Sequence, residues 1–120
     1  MKSYKELDVY KRSYFLAIEI HRLASRLPKE YRFDLSDQIR RASRSIPANI
    51  AEGFGRSKSS KDTINQLKTA LGSNYEMIFN LEFMKDIEII DHNQFDKLFK
   101  EYTISGKQLV RLIESLNHRP

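Results

Sequence analysis

Four segments of the chain repeat apolar residues at three- and four-residue steps, the spacing of amphipathic helices. The predicted helices span about residues 8–27, 34–55, 60–84 and 92–117. The linkers between them are short, which favours antiparallel neighbours. The pattern therefore predicts an all-α fold, an antiparallel up-down-up-down four-helix bundle that forms a single domain over residues 1–120.

Residues at the predicted helix ends have the chemistry of caps. Asp34, Ser59 or Ser60, and Asp91 precede the second, third and fourth helices, where a side-chain oxygen accepts from a free first-turn N–H. Gly55 follows the second apolar segment and suits a left-handed residue that ends a helix. These residues support the predicted boundaries.

The apolar stripe of the second helix keeps its phase through Pro47. This continuity predicts one kinked helix, in which the missing proline N–H frees the carbonyl of Ser43 and Asn49 could bond backbone freed near the proline. The alternative is a helix that ends near Ser45 and restarts with proline at its first position. Gly53 lies on the stripe, where its missing side chain would let a neighbouring helix approach closely.

The excess positive charge is confined to one part of the chain. The net charge is +5, and residues 38–61 account for all of it, because acids and bases balance elsewhere. At ~100° per residue, the arginines point away from the apolar stripe. Such a face is either simply solvated or binds phosphates, and the sequence leaves both alternatives open. The predicted nucleic-acid-binding residues are Arg40, Arg41, Arg44, Arg56, Lys58 and Lys61.

The third helix is apolar over more than one face, which indicates burial on more than one side. In a four-helix protomer this pattern favours self-association. The alternative is a wide core-facing arc with a few exposed aromatics. The predicted oligomer interface consists of Tyr75, Met77, Phe79, Phe83 and Met84.

The sequence offers little catalytic or metal-binding chemistry. It has no cysteine and no Glu-x-x-His pair, and its three histidines are more typical of structural or solvated positions than of metal ligands. The glycines of "EGFGRS" complete no phosphate-loop pattern. We therefore expect a protein that is not an enzyme and has no catalytic residues, bound cofactor or metal.

The N-terminal segment has no apolar core typical of a signal peptide, and no apolar run approaches the ~18 residues that span a bilayer. We expect a cytoplasmic protein with no membrane partner.

Two motifs resemble a known family. The segment "QIRRASRSIPANIAEGFGR" (residues 38–56), followed by "GSNYE" (residues 72–76), is similar to the hallmark of the 23S rRNA intervening-sequence proteins, and "LDVYKRSYFLAIEIHRLASRLP" fits that family's first helix. Tyr10 stands where tryptophan is common in the family. The resemblance implies a bacterial protein with an antiparallel four-helix bundle and a homopentameric ring with a positively charged surface. It extends to the superfamily of the accessory variability protein of diversity-generating retroelements, which partners a reverse transcriptase.

Charge and resemblance together predict a function. We expect a non-enzymatic, homo-oligomeric protein that binds structured RNA, such as ribosomal RNA or its intervening-sequence transcript, through the basic surface of the second helix. The alternative is a protein–protein adaptor, an accessory subunit whose basic surface meets an acidic or nucleoprotein partner. Glu52 remains open: it could pair with Arg56 one turn later or with a neighbouring subunit.

Overall fold

The computed structural model describes residues 3–55 and 59–117, in which all regular structure is helical. The four main helices pack in chain order, each on the next, and the fourth closes against the first. The result is a rod of 49 × 23 × 20 Å. The predicted all-α four-helix bundle is confirmed. The helices are α1 (Asp8–Arg26), α2 (Leu35–Gly55), α3 (Ser60–Asp86) and α4 (His92–Asn117), with 3-10 turns at Tyr4–Glu6 and Lys29–Tyr31.

Polar contacts link neighbouring helices and fix their relative heights along the bundle. Each contact joins residues at matching heights on two helices, and two of the four are buried, where a hydrogen bond is costly to lose. The ties are Ser36 Oγ to the Ala24 carbonyl at 2.7 Å, Ser73 Oγ to Ser45 Oγ at 2.8 Å, Asn74 Nδ2 to the Tyr102 carbonyl at 2.9 Å and Arg12 Nη1 to Glu101 Oε2 at 2.7 Å.

The helix ends follow the predicted caps in part. The Ser59 side chain accepts from the Asp62 N–H at 3.2 Å, and Asp91 Oδ1 accepts from the Gln94 N–H at 2.7 Å. The prediction that Gly55 adopts a left-handed conformation is wrong, because no described glycine has a positive φ. Gly55 is instead the last residue of α2.

Helix α2 runs unbroken through Pro47, so the prediction of one continuous helix is correct. The close approach expected at Gly53 is also present, since an added Cβ would lie 3.1 Å from the Gln66 Cβ. Asn49 behaves differently from expectation: its Nδ2 donates to the carbonyl and hydroxyl of Ser45, at 2.8 and 2.9 Å. It therefore bonds a neighbouring carbonyl rather than the one that Pro47 frees.

Candidate nucleic-acid interface

The position of the arginines follows from the core face of α2. Ile39, Ile46 and Ile50 are fully buried, with 0% exposure. Arg41 and Arg44 lie well round the helix from these isoleucines, and both are exposed. Because the helix continues through Pro47, burial of its core side holds the other side in solvent.

Arg40 differs from the other two arginines. Its side chain is 28% exposed, and its Nη1 lies 3.9 Å from Asp37 Oδ1. Its Nε is buried and has no hydrogen-bond partner in the described part of the chain. Arg40 is four residues after Ser36, which bonds α1, so it lies toward the α1 side of α2. We use "arginine face" for Arg40, Arg41 and Arg44, of which the latter two are freely exposed.

Lys61, another of the predicted basic residues, is not brought together with the arginine face. Lys61 is exposed at the start of α3. The contacts of Ser73 with Ser45 and of Thr63 with Gly53 show how α3 is aligned along α2. On this alignment Lys61 lies ~17 Å along the bundle axis from Arg44. Arg56 and Lys58 lie outside the described residues. The expected Glu52–Arg56 pair lies outside them as well.

A groove between α1 and α2 borders the arginine face. Its volume is about 540 Å³, and small side chains leave it open toward solvent. Arg44 lies on its α2 side and Arg22 on its α1 side, so cations from two helices meet in one groove. The lining residues of this α1/α2 groove are Tyr10, Tyr14, Ala17, Ile18, His21, Arg22, Arg44, Pro47, Ala48 and Ala51.

Sequence reasoning missed Arg22 and treated His21 only as a structural or solvated residue. Both are exposed on α1, 22 or more residues before Arg44 in the chain. The sequence does place Arg22 on the same side of α1 as Tyr14 and Ile18, because the three residues follow one another at four-residue steps. This placement became meaningful only once the structure showed which side of α1 meets α2.

A row of tyrosines runs along the α1 side of the groove. The Tyr10 and Tyr14 rings are stacked, with centroids 5.9 Å apart and an interplanar angle of 27°. Tyr4 meets Tyr10 edge-on at 5.0 Å. Desolvation, with smaller contributions from the Tyr4 and Tyr14 hydroxyls, raises the pKa of Tyr10. Tyr14 is 49% exposed, so its ring is open to a ligand.

The predicted oligomer interface divides into exposed and buried residues. Tyr75, Phe79 and Phe83 are exposed at four-residue steps along α3, and the two phenylalanine rings stack with centroids 6.4 Å apart. We call these three residues the aromatic stripe. Met77 and Met84 are fully buried in the protomer's own core. Their assignment to an interface between copies is therefore wrong, because no surface remains for a partner.

Two further features, a metal-binding cluster and a membrane-spanning helix, are not found among the residues that the structure describes. No three histidines, cysteines or carboxylates come close enough together to hold a metal ion there. Within the same ranges, none of the helices has the length and apolarity needed to cross a membrane. Burial raises the pKa of Tyr102, helped by the nearby Glu19 carboxylate, but that hydroxyl is enclosed in the core.

Comparison with known proteins places this architecture in a family. The family model described as 23S rRNA-intervening sequence protein matches residues 5–111. The structure is similar to the 1.70 Å crystal structure of a protein of unknown function from the S23 ribosomal protein family of Bacteroides thetaiotaomicron, with 33% identity, a TM-score of 0.81 and coverage of 88% of this chain and 95% of that one. No curated protein matches the sequence. The sequence resemblance is thereby confirmed, and the chain belongs to the 23S rRNA-intervening sequence protein family.

Proposed function

We propose that this protein is a non-enzymatic, homo-oligomeric, cytoplasmic RNA-binding protein, whose arginine face binds phosphates of structured RNA such as ribosomal RNA or an intervening-sequence transcript. The observation that carries this function is the exposure of Arg41 and Arg44 on one side of α2, with no carboxylate within 4 Å of either among the described residues. Family membership supports an RNA partner.

The electrostatics of the arginine face favour a polyanion. Asp37 lies on the same helix, and its one ion pair among the described residues, with Arg40, is long at 3.9 Å. Guanidinium groups without a protein partner are available to bind phosphate oxygens in bidentate geometry. A phosphate interaction of this kind positions RNA but reads no sequence.

Self-association would multiply these contacts. The aromatic stripe on α3 offers apolar area for a second copy. Several arginine faces in one assembly would engage one RNA together, so binding would be tighter than for a single protomer.

The test is an RNA titration across salt concentrations, with ribosomal RNA fragments and DNA of matched length. Affinity should fall steeply with salt, and Arg41→Ala/Arg44→Ala should reduce the slope of log K against log [salt] by about one per arginine removed. The matched control is Lys97→Ala/Lys100→Ala, which removes the same charge from exposed positions on α4.

Three results would contradict this function: a flat salt response, equal losses in the arginine and lysine variants, or full binding by an Arg40→Ala/Arg41→Ala/Arg44→Ala variant. Equal affinity for RNA and DNA would reduce the conclusion to a basic surface without RNA preference.

The second candidate function is a protein–protein adaptor, favoured by the same aromatic stripe. Tyr75, Phe79 and Phe83 are 57%, 66% and 45% exposed, which suits a protein partner as well as a second copy. Purification from native lysate separates the two functions. Recovery of an acidic protein in fixed stoichiometry without RNA would support the adaptor, and recovery of RNA alone would rule it out.

A further inference from the structure

We propose that the α1/α2 groove binds an unpaired RNA nucleotide, with its base against the Tyr14 ring and its phosphate at Arg22 and Arg44. This inference rests on the proposed RNA-binding function and deepens it, because it assigns a base-binding site beside the arginine face. It makes the preferred partner an RNA with unpaired residues rather than a continuous duplex.

The groove has the size and lining of a ligand site. Its volume of about 540 Å³ lies within the ~300–1,000 Å³ typical of small-molecule sites. Pro47, Ala48 and Ala51 line the α2 side, and none of them carries a polar side-chain group. A flat, apolar base face fits such a surface without leaving a buried polar group unpaired.

The Tyr14 ring is held in place for stacking. It packs on Tyr10 at 5.9 Å, and Tyr10 is in turn held by Tyr4 at 5.0 Å. Roughly half of Tyr14 remains exposed. An aromatic ring that is fixed by its neighbours loses little freedom when a base stacks on it, and such stacking is a common way of binding single-stranded RNA.

Cations lie in the same groove as the ring. Arg22 follows Tyr14 by two four-residue steps, ~12 Å along α1, and Arg44 lines the α2 side. Neither arginine has a carboxylate within 4 Å in the described residues. His21 adds ring nitrogens to the same lining. A nucleotide carries both matching groups, an anionic phosphate for the arginines and a flat base for the Tyr14 ring.

The groove favours unpaired over paired RNA. Bases inside an A-form duplex are stacked on one another, and their faces cannot reach Tyr14. An unpaired loop or bulge presents a base face while keeping the phosphates that the arginine face needs. Duplex RNA would therefore use the arginine face alone, and loop RNA would use the face and the groove.

The experiment compares two RNAs of equal length and charge, a hairpin with an unpaired loop and a blunt duplex, by fluorescence anisotropy. The wild-type protein should bind the hairpin at least fivefold more tightly. Tyr14→Ala and Ala48→Trp, which remove the ring and fill the groove, should abolish this preference and leave duplex binding unchanged. Tyr14→Phe should keep it. The control Phe33→Ala removes a ring that is 85% exposed, lies outside α1 and α2 and does not line the groove.

The outcomes separate the groove from the arginine face. Equal, salt-sensitive binding of hairpin and duplex by the wild-type protein would overturn the groove site and leave the proposed function standing. Absence of binding to either RNA would overturn both. A change in the mass of the particle with Ala48→Trp, measured without RNA, would show that a second copy covers the groove and would also overturn the nucleotide site.

Discussion

Among the residues that the structure describes, Tyr102 is the largest fully buried side chain, and its hydroxyl has no hydrogen-bond partner there. Enclosure in the core favours the neutral phenol and raises its pKa, and the Glu19 carboxylate adds to the effect. In the unfolded chain the same hydroxyl ionises near pH ~10. Unfolding above that pH therefore releases a proton, and the native state becomes less stable as the pH rises.

We expect Tyr102→Phe to remove this loss of stability at alkaline pH. In the parent protein, Tyr102 should lower the free energy of unfolding by up to ~1.4 kcal/mol per pH unit above pH ~10, with no contribution at pH 7. At pH 7 the variant should be as stable as the parent or slightly more so, because it loses an unsatisfied buried hydroxyl. Urea denaturation at pH 7, 10 and 11 measures both effects. Tyr75→Phe, at an exposed ring, is the control that should retain the slope; an unchanged slope in Tyr102→Phe would refute the assignment.

At this scale the sequence predicted which side of a helix each residue occupies better than how open that side is. Arg40, Arg41 and Arg44 were predicted to be alike, yet Arg40 is partly covered and its Nε is buried. Met77 and Met84 were grouped with exposed aromatics, although both lie in the core. The difference depends on the exact rotation and spacing of adjacent helices, which a helical repeat in one segment does not contain.

The C-terminal end of α3 shows an unusual choice of residue. Glu88 has a φ of 64°, in the left-handed region that non-glycine residues seldom adopt. The Glu88 N–H donates to the Lys85 carbonyl and the Ile89 N–H to the Met84 carbonyl, both at 3.0 Å. These are the two hydrogen bonds of a Schellman motif, in which glycine is the usual left-handed residue.

Glu88→Gly should therefore stabilise the protein by about 0.5–1 kcal/mol. Glycine relieves the strain of the left-handed conformation, and this gain exceeds the cost of glycine's greater conformational freedom in the unfolded chain. The control is Glu82→Gly, an exposed site within α3, where the same change should cost about 1 kcal/mol. Thermal or denaturant unfolding compares the two. Destabilisation by both substitutions would show that the end of α3 does not depend on the conformation of residue 88.

At the level of helices, the sequence predicted much of the second helix and little of the groove. The uninterrupted apolar phase correctly indicated that α2 continues through Pro47. The groove instead depends on the pairing of α1 with α2, which places Arg22 and Arg44 in one lining. A single sequence has no direct signal for which sides of α1 and α2 face each other, because the two arginines belong to different helical repeats.

Across the whole molecule, the aromatic stripe is the surface we expect copies to share. Phe79→Glu/Phe83→Glu should prevent the proposed self-association, because it places charge in an apolar contact. Thermal stability of the protomer should change little, since both rings are exposed. Light scattering coupled to gel filtration measures the particle mass. Phe15→Glu, at a ring 65% exposed on α1, should leave the mass unchanged. A monomeric parent protein, or an intact oligomer in the double variant, would exclude the stripe as the interface.

The order of packing along the rod bears on how the chain reaches its native state. Each helix packs chiefly on the next in sequence, and the α1–α4 contact is the main pairing between distant segments. Most native contacts therefore close short loops, at small entropic cost, as in the topologies that fold fastest. During synthesis α1 and α2 can pack on each other once residue 55 has been made, whereas α1 can contact the whole of α4 only once residue 117 has been made.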